Sequence, residues 1–196
     1  SFLHREESVC GYGRKSGKIP AEVQEELGVY CTALRAHCMN VILLDTPRAK
    51  KMLRPFSYTR ALAKIRVGVV TIEEKWKHYL KGDYSFLTDP HLAHKFPCIE
   101  SRDNWCINST ICPDRVLVEA IKKLESNQKL VKGDTLIAAR CNEEQLQNLK
   151  KDALNTPHFR NIIFEGPMTQ INNNWDIFLL NEQELIKDFQ LIVNEK

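Results

Sequence analysis

The sequence predicts an α/β protein of three layers, with helices on both faces of a mostly parallel sheet. Two observations carry that expectation. Short apolar runs rich in β-branched residues recur at "NVILL" (40–44), "DTLIAAR" (134–140) and "NIIF" (161–164), with segments of helical periodicity between them. Several helical segments also carry start signals, side chains able to bond the free amides of a first turn.

Residues 1–38 differ in character from the rest. A polar stretch dotted with Gly11, Gly13 and Gly17 passes through Pro20 into "AEVQEELGVYCTALRAH", where Val23, Leu27, Tyr30 and Leu34 recur at helical spacing. Gly28 weakens that helix by about 1 kcal/mol relative to alanine. We read 1–38 as an extension foreign to a domain that opens at Met39 and covers 39–196. "NVILL" is its first buried strand and feeds a basic loop.

Thr71 stands three residues before Glu74, the reciprocal pair in which each side chain satisfies an amide at a helix start. Ile72, Trp76, Tyr79 and Leu80 then share one face, and Glu73 and Lys77 pair on the other. "GDYSFLTDP" (82–90) reads as a turn-rich loop. "NWCINSTICP" (104–113) is a short strand ending in polar residues, and from Pro113 the positions Leu117, Ala120, Ile121 and Leu124 give a second helix. Gly133 turns the chain into "DTLIAAR", "NEEQLQNLKKDAL" is a polar helix with few apolar anchors, and "NIIF" is the last strand. Asn181 caps a terminal helix, with Glu184 at its third position and an apolar stripe of Leu185, Ile186, Phe189, Ile192 and Val193.

The 196 residues, 43% hydrophobic and 27% charged, suit a soluble globular domain. No run of about 18 apolar residues occurs, and "SFLHREESVC" lacks the apolar core of a signal peptide, so no membrane partner is expected. Seven cysteines, an odd number without a C-x-x-C pair, argue against a disulfide framework or zinc knuckle and for a reducing, cytoplasmic compartment. His91-x-x-His94 is the nearest thing to a metal motif, and a packing or surface role stands ahead of it.

Charge is the strongest functional signal. From Arg48 to Arg66 there are seven basic residues (Arg48, Lys50, Lys51, Arg54, Arg60, Lys64, Arg66) and no acid, in a chain whose net charge is only +3. Ligands of parallel α/β sheets bind beyond the carboxyl ends of the strands, and this loop follows "NVILL" directly. Arginine forks match phosphate oxygens, and lysine adds a mobile point charge. Phe56 and Tyr58 among the charges bring nucleic acid into question, but the motif occupies one loop and the overall charge is small. A phosphate-bearing small molecule is the preferred anion, and no nucleic-acid partner is expected.

Four segments, "VILLDTPRAKKMLRPFSYTRALAKIRVGVVTIEEKW", "SFLTDPHLAHKFP", "INSTICPDRVLVEAI" and "NNNWDIFLLNEQELIKDFQLI", occur in order over the last four fifths of the chain. On these, the chain from Met39 onward resembles the N-terminal domain of a bacterial family of sugar nucleotidyltransferases. That family is related to the bifunctional N-acetylglucosamine-1-phosphate uridyltransferase/acetyltransferase. The resemblance implies a Rossmann-like nucleotidyltransferase fold that joins a sugar 1-phosphate to a nucleoside triphosphate, using Mg²⁺ and releasing pyrophosphate. Full-length relatives add a domain of hexapeptide repeats for acyl transfer and trimerisation. The chain stops before such repeats, so it reads as incomplete, and homo-oligomers are expected only through that missing domain.

Carried over by position, Leu44, Asp45 and Arg48 match the start of the nucleotide-binding loop, and Arg54, Thr59 and Arg60 match the basic signature that follows. Arg48 and Arg60 are the implied triphosphate contacts. Lys64 is the implied contact to the sugar phosphate or leaving group, and Arg66 is a further basic candidate. Asn108, within "INST", falls at a strand end where wider relatives place a metal-binding acid, and the metal ligands stay unassigned. Asp176 is read as structural. "LLDTPRAKK" has no glycine, and no acid stands at Ser109 or Thr110, so an alternative is a nucleotide- or sugar-phosphate-binding domain without turnover.

Overall fold

The computed structural model describes residues 39–151 and 159–193; the amphipathic segment expected at 21–37 lies outside them. The described strands are β1 (Met39–Leu44), β2 (Gly82–Leu87), β3 (Asn104–Asn108), β4 (Ile111–Cys112), β5 (Gln128–Lys132), β6 (Thr135–Cys141), β7 (Arg160–Ile163) and β8 (Thr169–Gln170). Six of them form one sheet in the order β2-β1-β3-β6-β5-β7, and β4 pairs with β8 beside it. β1 runs parallel to β2 and β3, β5 runs parallel to β7, and β6 alone opposes its neighbours. The expected α/β class and mostly parallel sheet are therefore present.

β2 replaces the loop expected at "GDYSFLTDP". Its residues pair with β1 from Met39↔Gly82 to Leu44↔Leu87, burying Ser85 and Phe86. Ladder bonds along one edge of β1 outweigh the turn preference of Gly82 and Asp83, which a local reading takes at face value. β5 was likewise invisible locally, because "QKLVK" is short and polar at both ends.

The described α-helices are α1 (Pro47–Met52), α2 (Ile72–Tyr79), α3 (Arg115–Lys122), α4 (Glu143–Lys151), α5 (Asp176–Leu179) and α6 (Asn181–Val193), with short 3-10 turns at Phe56–Tyr58, Leu62–Lys64 and Pro90–Leu92. Strand alternation sorts them into layers. Val41 and Leu43 pack with Ile72 and Trp76 of α2 and Leu117, Val118 and Ile121 of α3. Ile42 and Leu44 point the other way, into a smaller cluster with Leu146 and Leu149 of α4. The start of α2 is as expected: Glu74 N donates to Thr71 Oγ1 at 3.2 Å, and Thr71 N donates to Glu74 Oε2 at 2.7 Å. Those bonds hold the Glu74 carboxyl below its usual range. Trp76 adds a buried bond from Nε1 to the Ile111 carbonyl at 2.9 Å.

α6 forms where expected but with its faces exchanged. Glu184 and Asp188 are buried, whereas Ile186, Phe189, Ile192 and Val193 are exposed. The cause is Lys75 of α2, a buried ammonium that pairs with Glu184 at 3.0 Å and with Asp188. Asp188 Oδ2 also accepts from Val69 N at 2.8 Å and Val70 N at 3.3 Å. Gly68, at φ +83°, allows this approach, because a β-carbon there would collide with the Asp188 carboxylate.

Candidate active site

β1 and β3 end side by side, with Leu44 opposite Asn108, and β2 lies on the far side of β1. The chain therefore leaves β1 in one direction and returns on the other, the arrangement that opens a crevice beyond the carboxyl ends. A cleft of about 710 Å³ occupies that place, lined by Thr46, Pro47, Arg48, Ala49 and Met52 after β1, Asn108, then Asp134, Thr135 and Leu136, and Gln170 to Asn173. β6 contributes its first residues because it alone runs antiparallel, which brings its amino end beside the carboxyl end of β3.

The cleft floor is braced from beneath. Asp45, buried directly after β1, accepts from Ser109 Oγ at 2.5 Å and from Leu62 N at 3.2 Å. One carboxylate thus ties the basic loop to the turn after β3. Burial outweighs these bonds and pushes the Asp45 carboxyl up to about 6. Asn108 is held as firmly: its Nδ2 donates to the Leu136 carbonyl at 2.9 Å, and its Oδ1 accepts from Thr110 N at 3.1 Å and Thr110 Oγ1 at 2.9 Å. Leu44 belongs to the core.

The seven basic residues do not act as one surface. Arg48 lines the cleft and has no ion-pair partner among the described residues. Lys50 pairs with Asp89 at 2.5 Å, and Lys64 pairs with the buried Glu73, which Lys77 also meets at 2.7 Å. The Arg54 guanidinium lies 5.1 Å from the Tyr58 ring centre. Thr59, Arg60 and Arg66 are exposed; Thr59 Oγ1 lies 3.4 Å from the Phe56 carbonyl, and Arg66 forms an antiparallel bridge with Thr71. His91 and His94 do not form a metal pair: His91 Nε2 lies 3.0 Å from the Tyr58 carbonyl, and His94 Nδ1 lies 3.1 Å from the His91 carbonyl.

Sequence reasoning missed the far wall. Gln170, Asn172 and Asn173 line the cleft, with Gln170 Nε2 donating to Thr110 Oγ1 at 3.3 Å, and their loop is fixed at several points. Asn172 N and Asn173 N each donate to Asp176 Oδ2 at 2.8 Å, which bears out the structural reading of Asp176, and Asn174 Nδ2 donates to the Arg54 carbonyl at 2.5 Å. A run of three asparagines before a helix is an available signal for such a loop, yet nothing in its spacing points to β1. Among the lining residues Asp134 is the single carboxylate, and among the described residues no group of three or more His, Cys, Asp or Glu could hold a metal. Among the residues lining the cleft, Asp134 therefore offers a divalent ion one carboxylate ligand.

A family model described as sugar nucleotidyl transferase matches residues 41–196, which take in every residue that lines the cleft. The chain belongs to the sugar nucleotidyl transferase family. Comparison with curated proteins returned no match. Membership of a sugar nucleotidyl transferase family makes nucleotidyl transfer on sugars the chemistry against which the cleft is to be read. Among the described residues no helix is long and apolar enough to cross a membrane.

Proposed function

We propose that the cleft binds a nucleoside triphosphate and a sugar 1-phosphate and joins them with release of pyrophosphate, in the manner of a UDP-N-acetylglucosamine diphosphorylase. One observation carries this reading: Arg48, with no ion-pair partner among the described residues, lines the same cleft as the uncharged carboxamide residues Gln170, Asn172 and Asn173. Charge for phosphate and neutral donors and acceptors for hydroxyls and a base edge thus stand together, beside apolar surface from Pro47 and Met52.

In this scheme a sugar phosphate oxygen attacks the α-phosphorus in line, the bond to the β-phosphate oxygen breaks, and pyrophosphate leaves with that electron pair. The work of the protein is positioning and neutralising charge. Arg48 meets the triphosphate from the cleft wall, and Arg60 meets it from the exposed end of the basic loop. Lys64, held by Glu73, keeps that loop in place, with Arg54, Thr59 and Arg66 on its outer side. Asp134, the carboxylate of the cleft, would hold Mg²⁺ bound to the triphosphate, and the ion would supply charge neutralisation there. Asn108 and Asp45 hold the strand ends at a fixed separation.

The scarcity of carboxylates favours a second reading, binding of nucleotide or sugar phosphate without turnover. Incubation with UTP or dTTP, Mg²⁺ and glucosamine-type sugar 1-phosphates separates the two. Pyrophosphate release supports transfer; a folded protein that binds these ligands and releases none is a binding domain.

A further inference from the structure

Met52, Tyr58, Ile99, Val116 and Ile163 are exposed at scattered positions, and the other exposed large apolar residues described lie together. Trp175, Phe178, Leu179, Ile186, Phe189, Ile192 and Val193 are between 43% and 80% exposed, all within the last two described helices and the residue before them. Trp175 (φ −72°, ψ −20°) and Leu180 (φ −90°, ψ −7°) both have helical backbone, and Glu184 N donates to the Leu180 carbonyl at 3.0 Å. α5 and α6 can therefore be read as nearly one helix. At about 100° per residue, Ile177, Leu180, Glu184 and Asp188 fall on the face toward the domain, and every exposed apolar residue falls on an opposite arc of roughly 140°.

Positions 175, 179, 182, 186, 189 and 193 follow alternating steps of four and three, the spacing of a coiled-coil seam. Five of the six are Trp175, Leu179, Ile186, Phe189 and Val193; Glu182 is the single polar member. Phe178, Leu185 and Ile192, seven residues apart, flank the seam on one side.

We propose that this seam pairs two copies of the chain, helix against helix, in an isologous dimer. An apolar face with no cation is complementary to itself and offers nothing to an anionic lipid or nucleic-acid surface. Lys187, the one basic residue of α6, is turned aside to Glu184 at 2.7 Å and Thr169 Oγ1 at 3.1 Å. The seven exposed side chains present on the order of 800 Å², about what one partner contributes to a standard interface. The helix is already fixed to its own domain by the buried Lys75, Glu184 and Asp188, so pairing requires no rearrangement of the fold.

The test is light scattering on the full chain from about 1 to about 100 µM, with circular dichroism as a check on folding. The expected wild-type mass is twice the 22.7 kDa of one chain. Ile186→Glu and Phe189→Glu, which alter solvent-facing positions, are expected to give folded monomers. Glu182→Leu removes the charge from the seam and is expected to tighten the dimer about tenfold or more. A monomeric wild type throughout that range overturns the proposal, as does a dimer that both glutamate variants leave intact.

Discussion

Arg48 and Asp45 stand three residues apart and do opposite work. Arg48 lines the cleft with no ion-pair partner among the described residues, while Asp45 is buried and spends its oxygens on Leu62 and Ser109. Removing a charge-assisted contact costs about 1.5–3 kcal/mol, so Arg48→Ala is expected to weaken calorimetric binding of UTP roughly 10- to 100-fold without changing the unfolding midpoint. Unchanged affinity would place the phosphates elsewhere. Asp45 supplies a pH signature. Its carboxyl is raised from 3.8 to about 6, so the neutral form is favoured in the folded state. The stability this provides is complete below about pH 4 and is lost as pH rises through about 6. Asparagine cannot ionise, so between pH 4 and 7 Asp45→Asn is expected to gain about 2–2.5 kcal/mol relative to wild type in denaturant unfolding. A difference independent of pH would contradict the buried, neutral-favouring environment.

At the scale of elements, legibility followed the range of the forces involved. The capping pair of α2 is a local device, readable from Thr71 and Glu74 alone, and Thr71→Ala is expected to lower stability by about 1 kcal/mol in thermal unfolding. β2 was not readable, because its strand character comes from pairing with β1 some forty residues earlier. α6 shows a subtler limit. Periodicity revealed an amphipathic helix but could not say which face turns inward, since the deciding partner, Lys75, lies more than a hundred residues away. With that ammonium removed, Glu184 is left with Lys187 and Asp188 with the Val69 and Val70 amides, and Lys75→Ala is expected to cost about 3–5 kcal/mol, measured by chemical denaturation. A loss below about 1 kcal/mol would mean that water reaches the two carboxylates.

Across the whole molecule the cleft is assembled from segments that only the sheet brings together. The loop after β1 was visible as unbalanced charge, and a place beyond a strand end was visible from the α/β pattern. The Gln170–Asn173 wall was not, because its carboxamides carry no charge pattern and reach the site through the pairing of β8 with β4. The same assembly divides the basic cluster: Lys50 and Lys64 turn to Asp89 and Glu73, and Arg48 is left facing the cleft. A site with one arginine and one carboxylate asks the substrate to bring its own counter-charge, so transfer is expected to depend on Mg²⁺ and to fall when it is chelated. The most direct measurement follows the phosphorus atoms. With UTP labelled in turn at the α- and γ-positions, Mg²⁺ and N-acetylglucosamine 1-phosphate, the account predicts α-label in a nucleotide sugar and γ-label in pyrophosphate, with Arg48→Ala reducing both. Label from the γ-position on the sugar, or no transfer by a folded protein that binds UTP, would contradict it.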